Sequence, residues 1–450
     1  MEDTIAAIST ALGVGAISII RVSGPESISI VNEIFKGSDL NKVKSHTIHY
    51  GHIINNEKII DEVLISVMKA PKTYTREDIV EINCHGGIAT TNKVFELLLN
   101  KGIRPAEPGE FTKRAFLNGR IDLVEADGIM NLINAKNEKT RSISINQLSG
   151  KVSDMIKSLR NDLIKIISNI EVNIDYPEYE DIEVLTNQKI LPNIKEFKEK
   201  LIKIIKESEN GKLINEGIKV GIIGKPNVGK SSLLNNLLEE EKAIVTDIEG
   251  TTRDIVEGKI NLDGLTLNII DTAGIRETDN LVEKIGVDKS KEIIKTSDLI
   301  IFILNNNEKI TDEEKELIKA ISKKPNIIVI NKIDLENKLD LKDINERAIK
   351  VSIKNNIGID KIKEEIKRIY NLEQIETTDM TYLSNARSIS LLKKSLNYIE
   401  SAITSINNEE PIDIVEINIK SAWEALGEII GETYTEELID ELFSRFCLGK

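Results

Sequence analysis

Gly224-Lys-Pro-Asn-Val-Gly-Lys230-Ser231 sets two glycines, a lysine and a hydroxyl at the spacing that cradles a polyphosphate. The glycines let successive backbone N–H groups turn inward, Lys230 reaches the β and γ oxygens, and Ser231 offers its hydroxyl to Mg²⁺. Such a loop implies a nucleoside triphosphate, but an eight-residue match is weak by itself. Three further motifs follow in an order that strengthens it. Asp271-Thr-Ala-Gly274 supplies a carboxylate able to hold Mg²⁺ through water and a glycine N–H able to sense the γ-phosphate. Asn331-Lys-Ile-Asp334 supplies a carboxylate that can accept the ring and exocyclic N–H groups of guanine, a donor pattern adenine lacks, with Lys332 lying along the base. Ser352-Ile-Lys354 would touch the base through its backbone. GTP is therefore the implied nucleotide.

Each motif stands where an element ends. The apolar runs Ile218 to Ile223, Leu265 to Ile270 and Ile327 to Ile330 read as strands, Ala348 to Val351 as a short one, and Ser232 to Leu238 as a helix. Strands alternating with helices from about Glu216 to Leu372 predict a doubly wound parallel sheet with its ligand at the carboxyl ends of the strands. Before it, Ala16 to Val22, Thr47 to Ile54 and Val63 to Val67 read as strands and Thr91 to Asn100 as a helix, predicting a small α+β domain. Between them, and again after Thr377, the period becomes that of long amphipathic helices: Ile129 to Ile133, Ile143 to Leu148, Met155 to Ile170, Ile190 to Ile205, Ser388 to Ile406 and Ile412 to Ile430. The acidic stretch Asp175 to Asp181 reads as an interrupting loop. The expected fold is multidomain: an α+β N-terminal domain over 1–117, an all-α domain in two parts over 118–215 and 374–450, and an α/β P-loop domain inserted over 216–373.

The length of 450 residues suggests about three domains. No apolar run approaches the ~20 residues of a membrane span, and Met1-Glu-Asp lacks the basic start of a signal peptide, so a cytoplasmic protein is expected. Two cysteines, Cys84 and Cys447, have no paired spacing and predict neither a zinc site nor a disulfide framework. Asp+Glu of 74 against Lys+Arg of 60 gives −14, which disfavours a broad grip on nucleic-acid phosphates. RNA contact would have to be local; the candidate patches are Lys113-Arg114 with Arg120, and Lys136, Lys139 and Arg141, each of which reads equally well as a solvated helix face.

Between the P-loop and Asp271, Thr246-Asp-Ile-Glu-Gly-Thr-Thr-Arg-Asp254 fits a switch loop whose Thr252 would complete the Mg²⁺ shell. Ras-type enzymes place a water-orienting Gln after the DxxG motif. Here Ile275 stands in that position, so another group must orient the water. Glu283 is near enough in sequence to act through a second water, although by pattern alone it reads more readily as a helix-surface residue. A cation must also meet the charge of the transition state. A potassium ion beside the Asn227 side-chain oxygen and switch-loop carbonyls would serve.

Asp3-Thr-Ile-Ala6, Gly15 to Gly24, Glu81-Ile-Asn-Cys-His-Gly-Gly87, Pro108 to Asn118, Gly250-Thr-Thr-Arg-Asp254 and the terminal Cys447-Leu-Gly-Lys450 together resemble the MnmE family, also called TrmE, over essentially the whole chain. The resemblance implies a potassium-stimulated GTPase that acts in tRNA modification and whose G domains pair across a homodimer. It places GTP on Asn227, Val228, Gly229, Lys230, Ser231, Ser232, Thr246, Asp247, Ile248, Glu249, Gly250, Thr251, Thr252, Asp271, Thr272, Ala273, Gly274, Asn331, Lys332, Ile333, Asp334, Ser352, Ile353 and Lys354. Mg²⁺ would sit on Ser231 and Thr252, and K⁺ on Asn227, Thr246, Ile248 and Thr251. Glu283 aligns with the family's water-orienting glutamate, and the implied catalytic set is Glu283, Lys230 and Arg276. Arg21, Glu81, Arg120 and Lys450 would hold a one-carbon donor, 5-formyl- or methylene-tetrahydrofolate. The implied chemistry puts a carboxymethylaminomethyl-type group on C5 of the wobble uridine of certain tRNAs. Reduction must accompany that transfer, yet no dinucleotide fingerprint is present, so the resemblance implies an FAD- and NADH-using partner, MnmG-like, in a heterotetramer. The competing reading is a ribosome-assembly GTPase that switches RNA binding.

Three features are discounted. His46, His49 and His52 recur every third residue, but residues three apart on a strand face opposite ways. The terminal Cys447-Leu-Gly-Lys is a poor prenylation box. Cys84 and His85, being sequence neighbours on a strand, should point to opposite sides and make a poor nucleophile–base pair.

Overall fold

The chain was described from a computed structural model covering residues 3–135, 137–175, 187–240, 256–262, 265–270, 290–340, 344, 348–370 and 381–450. It divides into two units: Met1–Met130 with Leu148–Ile194 and Asn397–Lys450, and Asn131–Gln147 with Lys195–Leu396.

In the first unit, β1 (Ile5–Ile8), β2 (Ile17–Ser23), β3 (Phe35–Lys36), β4 (Thr47–Asn55), β5 (Lys58–Met68), β6 (Ile79–His85) and β7 (Arg104–Pro105) form a sheet in the order β3-β4-β5-β6-β2-β1-β7. Neighbouring strands run antiparallel except β1 with β7. Alternation assigns the faces. Ile20, Val22, Val63, Ile65, Val67, Val80 and Ile82 turn inward and cluster with Val94, Leu97 and Leu98 of the helix Ile88–Asn100. The hairpin β4–β5 turns on Asn56 and Glu57, both at positive φ (47 and 70), the backbone that a two-residue turn between twisted strands demands.

The helices of this unit close around apolar stripes. Glu110–Leu117 packs on Glu436–Ser444 through Phe116, Phe443 and Phe446. Its start at Gly109 (φ 71) has to be glycine, because a Cβ there would lie 2.3 Å from the Phe443 carbonyl oxygen. The helices Lys151–Asp175 and Ile412–Ile430 meet where the Arg160 guanidinium stacks 4.0 Å from the Trp423 ring centroid.

In the second unit, β8 (Ile218–Ile223), β9 (Val256–Leu262), β10 (Leu265–Ile270), β11 (Leu299–Asn305), β12 (Asn326–Asn331) and β13 (Ile349–Lys350) are ordered β13-β12-β11-β8-β10-β9. All pairings are parallel except β9 with β10. Every residue of β11 is buried, as expected for a strand covered on both faces. The helix Lys230–Glu240 follows β8, Asp312–Ile321 connects β11 to β12, and Ile359–Ile369 follows β13. Asp312–Ile321 starts from a capping box in which Thr311 and Glu314 each satisfy the other's backbone N–H. Helical segments on either side in sequence contribute to the same core: Ile143, Ile214 and Tyr382 join the cluster around Val220, Leu267 and Ile301. A buried polar seam accompanies them, in which Asn131 Nδ2 donates to Gln147 Oε1 at 3.0 Å and Gln147 Nε2 donates to Ser384 Oγ at 2.9 Å.

Candidate functional site: a nucleotide loop system and an arginine-lined cluster

β8 enters the P-loop with Ile222 and Ile223 buried, which fixes the first residue of the loop against the sheet. Gly224 has φ 148, and a Cβ would fall 2.5 Å from the Ile303 carbonyl oxygen. Gly229 has φ 105, and its Cβ would fall 2.5 Å from Asn331 Nδ2. Only glycine lets the loop pass that close to its neighbours. Asn227 takes the left-handed conformation (φ 59) that asparagine tolerates, and it is exposed. Lys230 opens the helix, and its amine donates to the Gly224 and Lys225 carbonyl oxygens at 2.8 and 2.7 Å. Burial lowers its pKa from the ordinary lysine value. Ser231 and Ser232 are exposed on the first turn of that helix, where the dipole and free N–H groups favour an anion. Lys225 is tied by an ion pair of 2.9 Å to the buried Glu314 of the capping box, which anchors the outer side of the loop.

The base-side loops are joined to the P-loop by one side chain. Asn331, at the end of β12 and buried, donates from Nδ2 to the Val228 carbonyl oxygen at 2.7 Å and accepts the Ile353 N–H on Oδ1 at 3.1 Å. Lys332 then turns through φ 63, and Asp334 becomes exposed. The Ser352 hydroxyl donates to Asp334 Oδ1 at 2.6 Å, orienting the carboxylate. That bond, helped by Lys354 and Lys332, holds the Asp334 carboxyl below its ordinary pKa. The turn Ile353–Asn355 is closed by the Ser352–Ile357 bridge and by Asn236 Nδ2 donating to Asn356 Oδ1 at 2.8 Å. Asn227, Val228, Gly229, Lys230, Ser231, Asn331, Lys332, Ile333, Asp334, Ser352, Ile353 and Lys354 thus share one end of the sheet. An acceptor for a base and a cationic cradle for phosphates are held together there, which is chemistry suited to a purine nucleoside polyphosphate.

The remaining switch candidates lie outside the described residues: Thr246, Asp247, Ile248, Glu249, Gly250, Thr251, Thr252, Asp271, Thr272, Ala273, Gly274, Arg276 and Glu283.

The second group is assembled from four distant parts of the first unit. Arg21 on β2 faces Glu81 on β6 by register and pairs with it, Nε to Oε1 at 2.9 Å. Arg21 also reaches the Gly449 carbonyl oxygen at 3.4 Å. The terminal segment is docked by Ser9 Oγ, which donates to the same oxygen at 3.2 Å, and by the φ 86 turn at Gly449. Lys450 is partly buried; that burial, with Arg21 nearby, lowers its pKa while Glu81 opposes the shift. Arg120 stacks on Tyr74 at 4.8 Å, and Arg21 lies 5.5 Å from the same ring. The structure therefore brings Arg21, Glu81, Arg120 and Lys450 together, and it adds Tyr74, which the sequence reading did not single out. No periodicity marks the loop Thr73-Tyr-Thr-Arg76, so only the fold reveals the ring between two guanidiniums. Burial raises the Tyr74 phenol pKa, and its hydroxyl bonds with Thr112 Oγ1 at 2.8 Å. Two guanidiniums, an amine, a carboxylate and an aromatic face suit a flat heterocycle carrying an anionic tail.

The candidate basic patch at Lys113-Arg114 does not form, and Arg114 is not on a solvated face either. Arg114 is 0 % exposed and is held by Asp3, Glu77 and Glu110, because its helix turns that face into the domain and the carboxylates compensate the buried charge. Lys113 pairs with Asp440, and Arg120 is occupied at Tyr74. In the other patch Arg141 pairs with Glu138, and Lys136 lies outside the described residues. Cys84 and His85 do point apart: the thiol is buried with its pKa raised by that burial, while the exposed His85 binds Asp61 at 2.7 Å.

Comparison with known proteins covers both units. The family model described as the GTP-binding protein TrmE N-terminus matches residues 4–120, and that described as the MnmE helical domain matches residues 123–447. A tRNA modification GTPase MnmE from Bacillus cytotoxicus is 51% identical over 455 residues, covering 100% of this chain and 99% of that protein. One from Bacillus licheniformis is 50% identical over 458 residues, covering 100% of both. Among solved structures, the G domain of the T. maritima FeoB iron transporter is similar over 34% of this chain and 98% of that one, at 27% identity and a TM-score of 0.26, too low to carry weight.

Proposed function

Since the chain belongs to the MnmE family of tRNA modification GTPases, we propose that its inserted G domain hydrolyses GTP to drive the installation of a carboxymethylaminomethyl-type group on C5 of the tRNA wobble uridine. The single observation carrying this reading is the presence, in one chain, of a guanine-suited loop system and a separate cluster suited to a folate.

In the G domain, Lys230 stabilises charge building on the transferred phosphate, and Asp334, fixed by Ser352, selects guanine. Ser231, exposed on the first helical turn, fits a role in holding Mg²⁺ together with Thr252. Asn227 is exposed on a left-handed turn, which fits a K⁺ site shared with Thr246, Ile248 and Thr251. Those residues would hold the two cations, which would supply positive charge to the phosphates, K⁺ serving where other enzymes use an arginine finger. Glu283 orients water through a second water, and Arg276 assists. Hydrolysis makes and breaks a G-domain pairing across a homodimer, so its free energy goes into rearrangement and not into carbon chemistry.

In the N-terminal domain, Arg21, Arg120 and Lys450 meet the anionic tail and ring of a 5-formyl- or methylene-tetrahydrofolate, while Glu81 accepts N–H groups of the pterin. The donor supplies the one-carbon unit when bound. The homodimer is supported by an exposed apolar sheet face, with Ile17, Ile48 and Tyr50 each more than 60% exposed (63, 67 and 61%). An MnmG-like FAD protein completes the complex and supplies the reduction. The protein works in the cytoplasm, and no described helix is long and apolar enough to cross a membrane. Full-length relatedness favours this reading over a ribosome-assembly switch.

The test is to delete the gene and analyse bulk tRNA nucleosides by mass spectrometry. Loss of the C5-modified wobble uridine, restored by the wild-type gene and not by an Asp334→Ala form, is expected. Unchanged nucleosides in the deletion would sink the proposal.

A further inference from the structure

Arg76 sits at φ 61, in the left-handed region that ordinary side chains avoid, in the loop that carries Tyr74. Strain of this kind persists only where surrounding contacts over-determine it. The contacts are visible. Arg76 Nη1 donates to the Asn118 carbonyl oxygen at 2.8 Å, and Asn118 Nδ2 returns a bond to the Thr75 carbonyl oxygen at 2.6 Å. The two loops are thereby clamped reciprocally.

Asn118 is no arbitrary attachment point, because it caps the helix Glu110–Leu117. The chain leaves that helix through the left-handed Gly119 (φ 66), with Gly119 N–H bound to the Phe116 oxygen and Arg120 N–H bound to the Ala115 oxygen, both at 2.8 Å. This pair of bonds is a Schellman motif. It fixes where Arg120 begins, and the Arg76 guanidinium meets the carbonyl end of the helix, where a cation is favoured. The other side of the Tyr74 loop is already anchored, by Thr75 Oγ1 on Ser23 Oγ at 2.7 Å and Thr73 Oγ1 on the Glu77 oxygen at 2.6 Å. The clamp is what links that anchored loop to the Arg120 turn.

We infer that Arg76 is a positioning residue for the N-terminal ligand site, holding Arg120 over Tyr74 through the Asn118 cap. Arg76 is exposed and acts on the ligand only through the clamp. The inference rests on the reading of this cluster as a folate site.

The experiment titrates 5-formyl-tetrahydrofolate into full-length protein by calorimetry, for wild type, Arg21→Ala, Arg76→Gly and Arg76→Asn, with thermal unfolding of each. Glycine and asparagine both accept the positive φ and neither reaches Asn118, so they remove the Arg76 half of the clamp and relieve the strain together, while the Asn118 bond to the Thr75 carbonyl oxygen stays. Both should weaken folate binding roughly 5- to 10-fold, the effect of losing one solvent-exposed hydrogen bond of ordinary strength, with Tm equal to or above wild type. Arg21→Ala should abolish measurable binding. Wild-type affinity in both Arg76 variants, with binding lost in Arg21→Ala, overturns the positioning role alone. Lowered Tm together with weaker binding in both variants also overturns it, assigning Arg76 to folding. Unchanged binding in Arg21→Ala overturns the site itself and this inference with it.

Discussion

Replacing Asn331 by alanine should uncouple the phosphate loop from the base loop. The side chain is 4% exposed and spends both ends on backbone groups, the Val228 oxygen at 2.7 Å and the Ile353 N–H at 3.1 Å. Both residues so contacted are buried, Val228 at 0% and Ile353 at 7% exposure, so neither freed group finds water easily. Leaving a buried polar group unpaired costs about 1–3 kcal/mol, or about 2–6 kcal/mol for two. If half of that falls on the arrangement that binds nucleotide, about 1–3 kcal/mol, affinity drops roughly 5- to 150-fold. The remainder lowers the unfolding temperature of the nucleotide domain. A fluorescent guanine-nucleotide titration reads the first quantity and thermal unfolding without nucleotide reads the second. Asn331→Asp sharpens the test, because it keeps the acceptor for Ile353 but sets a carboxylate against the Val228 oxygen; it should bind no better than the alanine form. A dissociation constant within twofold of wild type in Asn331→Ala, with unchanged unfolding, would refute the bridging role.

Ser352→Ala removes the bond that, first among its causes, holds Asp334 below its ordinary pKa. Asp334 accepts from guanine only when ionised, so wild-type affinity should stay level as pH falls and drop only through the lowered value. In the variant that drop moves up towards about pH 4, the ordinary aspartate value, and superimposable pH profiles would count against the assignment. Arg114→Ala should cost about 3–5 kcal/mol of stability, since it takes the buried cation from Glu77 and leaves Asp3 and Glu110 with Arg104 alone, and thermal unfolding checks it. Burial pushes Asp3 and Glu110 up, but bonds from Arg104 and Arg114 outweigh it and keep both below their ordinary values. Their stabilisation is therefore complete above the ordinary carboxylate range and lost as pH falls through the lowered values, a dependence the Arg114 variant should flatten. With a thiol reagent at mild alkaline pH, the exposed Cys447 should react promptly and the buried Cys84 only on unfolding. Two fast equivalents would contradict the burial of Cys84.

The parts of the fold visible in the chain were those with strong periodicity. The run Ile218 to Ile223 became β8, Ile412 to Ile430 became a helix with those bounds, and Thr47 to Ile54 became β4 with one further residue. Short strands without periodic signal escaped the reading: β1 has four residues, the edge strands β3 and β7 have two each, and β7 contains a proline. The charge pattern misled at Arg114, because sequence shows a cation but not the carboxylates of Asp3, Glu77 and Glu110 that converge on it.

Local chemistry alone determined the nucleotide loops, since glycine spacing, a lysine and a serine within eight residues leave the backbone few ways to turn. Tertiary structure decided what those loops are attached to. Asn331 reaches a carbonyl 103 positions away, and Arg21 meets an oxygen 428 positions away. Contacts of that span depend on how strands are ordered in a sheet and where a chain end docks, and no short-range propensity encodes either. The same holds for Tyr74 between its two arginines and for the strained Arg76 beside it: each residue is unremarked in its own stretch of sequence and acquires a role only from neighbours that folding supplies.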